Sequence, residues 1–232
     1  GIVDATGGKI TWADFNASDD QYFGLPYWKP DGSSLLVQWM NRKQNILKIW
    51  EVKPNDGSKS IFLTEEQKTW VSLDDEGKRI TFLKNGKGFI YRSDAGGYDQ
   101  LYLYDMSGKL KNAINTGKYT VTDVNYIDEK NGTIYFTARK ERTDRKDFYS
   151  IGFNGKNLKR LSFGEFNHSS INLSPDASYF ITTFSNASTP TKMALVDNKG
   201  KVIMTFADTK GEAFDNAELA RTEMVRVMSD DS

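Results

Sequence analysis

Two interleaved series of reverse-turn motifs constrain the fold more than any other feature of the chain. In the first series the turn glycines stand at positions 8, 57, 108, 155 and 200, at intervals of 49, 51, 47 and 45 residues. In the second series the equivalent positions are Gly32, Gly86, Gly132 and Ala177, each 22 to 25 residues before a turn of the first. Two hairpin turns in each repeat predict four strands per repeat, the organisation of a β-propeller blade.

The segments between the turns alternate between apolar and polar residues. Such period-two alternation predicts strands with one face buried. The clearest predicted strands cover residues 35–40, 46–52, 101–104, 133–137, 179–184 and 201–206.

We therefore expect an all-β fold of four-stranded antiparallel blades, with an irregular β-sandwich as the alternative, since sandwich turns recur without a longer period. The propeller is expected to cover residues 1–210, followed by an irregular tail over 211–232. Its expected divisions are a blade stub over 1–21 and four repeats of about 22–66, 67–117, 118–164 and 165–209. The stub should form a hairpin around Gly8 with a strand over 10–15, and the tail should start weakly helical and could end in a strand. Four to four and a half blades are expected to be part of a longer chain.

Composition excludes several classes of function. Lys and Arg total 31 and Asp and Glu total 31, so the formal net charge is zero, which argues against a general nucleic-acid binder or a polybasic membrane patch. The chain contains no cysteine and one histidine, His168, so thiolate chemistry and a two-histidine zinc motif are excluded. No apolar run reaches the roughly 18–20 residues of a membrane span. We therefore predict no metal, no cofactor, no nucleic-acid partner and no membrane span in this segment.

Several ordered strings resemble the N-terminal propeller domain of dipeptidyl peptidase IV in its bacterial form. They occur in the same order as in that family, and the resemblance covers nearly the whole chain. The strings are Asn41-Arg42-Lys43-Gln44-Asn45, Gly86-Lys87-Gly88-Phe89, Gly97-Tyr98 with Leu101-Tyr102-Leu103-Tyr104, and His168-Ser169-Ser170 with Ser174-Pro175-Asp176.

The resemblance implies about half of an eight-bladed propeller that caps an α/β-hydrolase domain. It implies a serine peptidase that removes N-terminal dipeptides with Pro or Ala at the second position, and a periplasmic, secreted or membrane-anchored parent protein. The implied partners are the hydrolase domain, the remaining blades and the peptide substrates.

No catalytic residue is predicted in this chain. A serine peptidase of this kind needs a Gly-x-Ser-x-Gly elbow followed by Asp and His, and the sequence has no such elbow. The lone His168, in a predicted strand, is interpreted as a structural residue that donates to backbone or to a neighbouring blade.

The resemblance places a pocket rim just after Trp70-Val71, where some relatives carry an aromatic–Arg pair that this sequence lacks. The rim candidates are therefore Trp70, Leu73 and Asp74. Arg42 is a candidate for binding a carboxylate, because a guanidinium between amide side chains can do so. The favoured interpretation of residues 41–45, however, is a structural hairpin turn.

Two charged segments are interpreted as solvated. Glu65-Glu66 should lie in a loop beyond a strand end, and the run over 139–147 should form an exposed hairpin tip. Two other functions stay open. One is a propeller scaffold without a linked enzyme that binds protein or carbohydrate partners, and the other is an enzyme with its site in the central channel. Exposed blade faces also predict that the chain self-associates.

Overall fold

The structure, a computed structural model, describes residues 1–74, 76–217, 220, 222, 225, 227 and 228. Its strands form four sheets, each built from strands that are consecutive in sequence. Two compact units result. The first comprises residues 1–121, 129–132 and 152–156, and the second comprises residues 122–128, 133–151 and 157–232.

The first two sheets contain the strands up to residue 113. In the first sheet the strand order is β1-β3-β4-β5, and the short β2 pairs with β3 beside β1. In the second sheet the order is β6-β7-β8-β9, and all pairs are antiparallel. Their bounds are β1 Gln21–Phe23, β2 Tyr27–Trp28, β3 Leu35–Asn41, β4 Ile46–Val52, β5 Lys59–Glu66, β6 Ile80–Phe82, β7 Phe89–Ser93, β8 Gln100–Tyr104 and β9 Leu110–Ala113.

The third and fourth sheets repeat the same plan. Their strand orders are β10-β11-β12-β13 and β14-β15-β16-β17. A bulge in β14 shifts its register against β15 between Ser169 and Asn172. The bounds are β10 Thr120–Asp128, β11 Thr133–Arg139, β12 Asp147–Gly152, β13 Lys159–Arg160, β14 Asn167–Leu173, β15 Tyr179–Asn186, β16 Thr189–Asp197 and β17 Val202–Asp208; a short helix, α1, covers Glu212–Asp215.

The hairpin turns share one local mechanism. An Asp or Asn side chain accepts a hydrogen bond from the backbone amide two residues on, which closes a turn without strand pairing. The acceptors are Asp31, Asp56, Asn85, Asp105, Asn154, Asp176 and Asp197. Glycine follows most of them in a left-handed conformation. At Gly108 (φ 81°) an added Cβ would come within 2.2 Å of the Phe62 carbonyl oxygen, so the turn has no space for a side chain.

Apolar residues pack between successive sheets within each unit. In the first unit Leu36 and Ile49 of the first sheet cluster with Phe89 of the second. In the second unit Phe148 clusters with Phe180 and Val196 of the fourth sheet. Burying a side chain of this size contributes about 1.5–3 kcal/mol, so the first sheet is stabilised by the second, and the third by the fourth.

The beginning of the chain differs from the expectation. Residues 10–15 do not form the predicted strand; the only pairing there is one bridge between Ile2 and Thr11, and Trp12 is 71% exposed. Apart from this bridge, the described residues place no strand beside the segment, so its alternating residues do not form a strand. The tail begins with α1, as predicted, but most of its end lies outside the described residues.

Candidate functional site

Two loops lie side by side at one end of the first sheet. Residues 41–45 join β3 to β4, and residues 67–74 follow β5. The Val71 amide donates a hydrogen bond of 2.8 Å to the Gln44 carbonyl, which holds the two loops together. This loop pair carries all four residues that the sequence singled out: Arg42, Trp70, Leu73 and Asp74.

Residues 41–45 form a hairpin turn, as the favoured interpretation predicted. The Asn41 Oδ1 atom accepts hydrogen bonds from the amides of Asn45 (3.2 Å) and Ile46 (3.1 Å). The Asn41 Nδ2 atom donates to Asn45 Oδ1 at 2.9 Å. The Asn41 and Asn45 side chains therefore stabilise the turn.

Arg42 is exposed and already has partners. Its Nη1 atom donates to the Tyr22 hydroxyl, and its Nε atom lies 3.3 Å from Asp20 Oδ2. Any ligand carboxylate would compete with Asp20 for this guanidinium, so the predicted carboxylate-binding role stays a prediction.

Trp70 projects from the loop pair into solvent. The residue is 75% exposed, whereas its neighbour Val71 is buried against Met40 and Leu47. The buried valine fixes the backbone, so the adjacent indole is presented at a defined place. An exposed tryptophan on an anchored loop is typical of a contact surface, because its large apolar area gains most when a partner covers it.

Leu73 and Asp74 line a polar cavity of about 230 Å³. The cavity contains three acidic and three basic side chains, so it has no excess of either charge. The lining residues are Leu73, Asp74, Glu76, Lys78, Arg79, Arg92 and Asp99.

The Asp74 carboxylate is used inside the protein. It accepts hydrogen bonds from the Tyr27 hydroxyl, the Arg79 amide (2.7 Å) and the Glu76 amide (3.1 Å). Burial alone would raise the pKa of this carboxyl, but the donors outweigh it and the pKa lies below its usual value. Burial also raises the pKa of Tyr27, with the carboxylate beside it adding to the effect. Asp74 therefore stabilises the loop at the cavity wall.

Glu65 is buried, so its interpretation as a solvated loop residue was wrong. It is the penultimate residue of β5 and accepts hydrogen bonds from the Tyr91 hydroxyl (2.7 Å) and Gln67 Nε2 (2.7 Å). Arg79 Nη1 lies 3.6 Å from its carboxylate. Tyr91 lies in β7 of the second sheet and Arg79 directly before β6, which is why no pattern in the first repeat predicted the burial.

Arg79 is a residue of this site that the sequence reasoning missed. Its Nη2 atom donates to the Ser72 carbonyl at 2.6 Å, which ties the loop of Trp70 to the second sheet. Burial lowers the pKa of an arginine, but interactions with Tyr91 and Glu65 outweigh this and the pKa of Arg79 is raised. In the sequence Arg79 is a basic residue directly before β6, and this position does not distinguish a buried arginine from one on the surface.

The charge run over 139–147 is exposed in part only, which corrects the expectation of a solvated tip. Lys140 and Glu141 are exposed, but Asp147 starts β12 and is fully buried. Its carboxylate pairs with Arg145 and Arg160 and also accepts a hydrogen bond from the Ser162 hydroxyl, so the buried charge is both paired and hydrogen-bonded. Arg160 lies in the next strand, β13, outside the charge run, so the run itself does not indicate that Asp147 is buried.

His168 is a structural residue of β14, as predicted. It is fully buried, its Nε2 atom donates to the Phe163 carbonyl at 2.9 Å, and its Nδ1 atom lies 3.2 Å from the Thr182 hydroxyl. Burial lowers the pKa of the imidazole. The described residues hold no group of three or more His, Asp or Glu side chains that could bind a metal ion.

Four successive antiparallel sheets, the first with five strands and the others with four, together with their Asx-closed hairpin turns define a partial β-propeller. The first sheet carries a loop pair with a projecting tryptophan. Residues 1–191 match the family described as "Dipeptidyl peptidase IV (DPP IV) N-terminal region", and the chain belongs to that family.

Relatives and solved structures agree with this family. Dipeptidyl peptidase 4 of Arthroderma otae is 29% identical over 194 residues, which are 81% of this chain and 25% of the relative. The crystal structure of Porphyromonas gingivalis dipeptidyl peptidase 4 matches with a TM-score of 0.70 at 28% identity, covering 85% of this chain and 27% of that one. The crystal structure of a putative dipeptidyl aminopeptidase IV from Bacteroides ovatus matches with a TM-score of 0.70 at 24% identity, and this likeness supports the fold. The match covers 86% of this chain and 31% of the Bacteroides ovatus chain.

The chain therefore spans about a quarter of the length of the curated relatives that it matches. Within the part of the chain that the structure describes, no helix has the length and apolar character needed to cross a bilayer.

Proposed function

We propose that this chain is the substrate-gating propeller segment of a serine-type dipeptidyl peptidase. The parent enzyme removes N-terminal dipeptides with Pro or Ala at the second position, and its catalytic residues lie in an α/β-hydrolase domain outside this segment. The observation that carries the proposal is the match of residues 1–191 to the N-terminal region of this peptidase family.

The role proposed for the propeller is steric. A propeller over an active site admits narrow, extended peptide ends and excludes folded chains. In this way the segment selects substrates by their shape without taking part in bond cleavage.

Within this segment the loop pair is the proposed rim of the substrate pocket. Trp70 is the contact residue, since it is exposed beside the buried Val71. Leu73 packs beside Val71, and Asp74 holds the cavity wall through its bonds to Tyr27 and Arg79.

The test is hydrolysis of Ala-Pro-p-nitroanilide and of an Ala-Pro-leading decapeptide by the full-length parent. Trp70→Ala should raise KM for the decapeptide by about tenfold while kcat changes little, because the indole contributes binding and no chemistry. The matched control is Trp12→Ala, another strongly exposed tryptophan that is not on the loop pair.

The outcomes separate the parts of the proposal. A parent that releases no dipeptide from either substrate would overturn the peptidase assignment, and binding of intact protein or carbohydrate without hydrolysis would support the scaffold alternative. Equal KM values for the two tryptophan variants would overturn the role of the loop pair alone.

A further inference from the structure

Trp70 stands at the end of an exposed tip in the loop between β5 and β6. The two residues that flank the tip are both fixed to the turn between β3 and β4. The Gln67 amide donates to the Asn45 carbonyl at 3.0 Å, and the Val71 amide donates to the Gln44 carbonyl at 2.8 Å. Both bonds come from the same side of the loop, so the chain that follows Val71 needs a separate support.

Arg79 provides this support from the interior of the first unit. Its Nη2 atom donates to the Ser72 carbonyl at 2.6 Å, two residues after Trp70. Its Nη1 atom lies 3.3 Å from the Tyr91 hydroxyl and 3.6 Å from Glu65 Oε2. Tyr91 belongs to β7 and Glu65 to β5, so groups from two sheets hold the guanidinium. Because a guanidinium is planar and rigid, fixing Nη1 also fixes the direction of Nη2.

Stability alone does not account for an arginine at this place. The side chain of Arg79 is only 9% exposed, and its Nε atom is buried with no hydrogen-bond partner among the described residues. An unsatisfied buried donor costs free energy, and a buried ion pair is often no more stabilising than apolar residues of the same volume. The guanidinium provides one thing that an apolar side chain would not, namely the directed hydrogen bond to the Ser72 carbonyl.

We propose that Arg79 is a positioning residue that orients Trp70. By holding the Ser72 carbonyl it fixes the direction of the chain directly after Val71, so the indole is presented in one orientation. The inference rests on the proposed function where substrates are concerned, because Trp70 is the contact residue there. The orientation of the indole itself is measured on this chain without a substrate.

Fluorine NMR of the 232-residue chain labelled with 5-fluorotryptophan tests the orientation directly. The chain has five tryptophans, and Trp70→Phe assigns the resonance of Trp70. Arg79→Lys keeps a positive charge beside Glu65, but its single ammonium cannot hold both that carboxylate and the Ser72 carbonyl. We expect the Trp70 resonance to shift or broaden in Arg79→Lys and in Arg79→Gln, and the resonance of the exposed Trp12 to stay unchanged.

The matched control is Lys29→Gln, which also removes a nearly buried cation from the first unit. The side chain of Lys29 is 11% exposed and pairs with Glu51 at 2.8 Å. Lys29 precedes β3, whereas the loop pair lies at the other end of that strand, so the Trp70 resonance should stay unchanged in this control. Thermal unfolding verifies that each variant is folded; if Arg79→Gln is not, Arg79→Lys decides the test.

Hydrolysis by the full-length parent gives a second readout. Arg79→Lys should raise KM for the Ala-Pro-leading decapeptide by about threefold or more while kcat changes little, because it disturbs the presentation of a binding residue. A double-mutant cycle with Trp70→Ala separates positioning from a general loss of stability. In the Trp70→Ala background Arg79→Lys should change KM no further, since the residue through which Arg79 acts is then absent.

Three results would overturn the inference. The first is a Trp70 resonance that is unchanged in the folded Arg79 variants, and the second is one that changes as much in Lys29→Gln. The third is an equal effect of Arg79→Lys on KM with Trp70 present and with Trp70 replaced. If Trp70→Ala itself leaves KM unchanged, the proposed pocket rim fails, and the NMR resonance then decides alone whether Arg79 orients Trp70.

Discussion

Gln44 carries backbone strain at the centre of the loop pair. Its φ is 58°, in the left-handed region that residues with a Cβ adopt at a cost of roughly 1 kcal/mol. Replacement of Gln44 by glycine should therefore raise the free energy of unfolding by roughly 0.5–1 kcal/mol, since the turn keeps its 2.9 Å bond from the residue 44 amide to the Asn41 carbonyl. Urea denaturation measures the change.

The neighbouring Lys43 is the matched control for this substitution. It is exposed, lies in the same turn and is not among the residues with positive φ. Lys43→Gly should therefore lower the free energy of unfolding by roughly 0.5–1 kcal/mol, because glycine adds freedom to the unfolded chain without relieving strain. A shift of the same sign in both variants would contradict the strain at Gln44.

Burial of single charged residues was not predictable from the sequence. Glu65 and Asp147 each stand in a charged run, and local patterning places such runs in solvent. Their burial depends on Tyr91 and Arg160, which arrive from another sheet and another strand respectively. In contrast, His168 was predicted correctly, because it stands inside an alternating strand pattern.

At the scale of elements, Glu51 on β4 holds the turn between β2 and β3. Its carboxylate accepts hydrogen bonds from Lys29 Nζ (2.8 Å), the Ser34 hydroxyl (2.7 Å) and Lys53 Nζ (3.2 Å). Burial opposes ionisation, but these donors outweigh it and lower the pKa of Glu51 to about 2 from its usual 4.5. The charged form is therefore the one that joins the turn to the strand.

This pKa predicts how stability depends on pH. The folded pKa is below the unfolded one, so the contribution of Glu51 is complete above the unfolded value of 4.5 and is lost as the pH falls toward about 2. In urea denaturation at about pH 5 and about pH 3, the midpoint should fall more in the wild type than in Glu51→Gln, which has no such carboxyl to protonate. Other acids titrate in both proteins, so an equal fall in both would contradict the role of Glu51.

The elements themselves were largely predictable. Strands β3, β4, β8, β11, β15 and β17 cover their alternating segments except for Lys201, and Asx-closed turns stand at seven of the nine positions of the two turn series. Residues 10–15 have the same alternation but no strand to pair with, so the pattern alone was insufficient there. The β14 bulge also had no sequence signal, since Ser170 holds a φ of 50° that polar alternation does not indicate.

At the scale of the whole molecule, β17 predicts self-association. It is the last strand in the order of its sheet, so one side of its backbone has no partner strand among the residues that the structure describes, and every residue of β17 is exposed. The exposed residues of β17 include apolar side chains on both faces of the strand, namely Val202, Ile203, Met204 and Phe206. An exposed apolar edge of this length pairs readily with a second copy, since both unpaired backbone groups and apolar area are then covered.

Light scattering across a concentration series should therefore show that the mean mass rises above 26.3 kDa with concentration. Met204→Lys should shift the chain toward the monomer, because a charge on this strand has to be desolvated in the pair. Leu158→Lys, at an exposed leucine outside β17, is the matched control and should leave the mass unchanged. A wild-type chain that stays monomeric at every concentration, or equal effects of the two lysines, would show that β17 is not the surface through which copies associate.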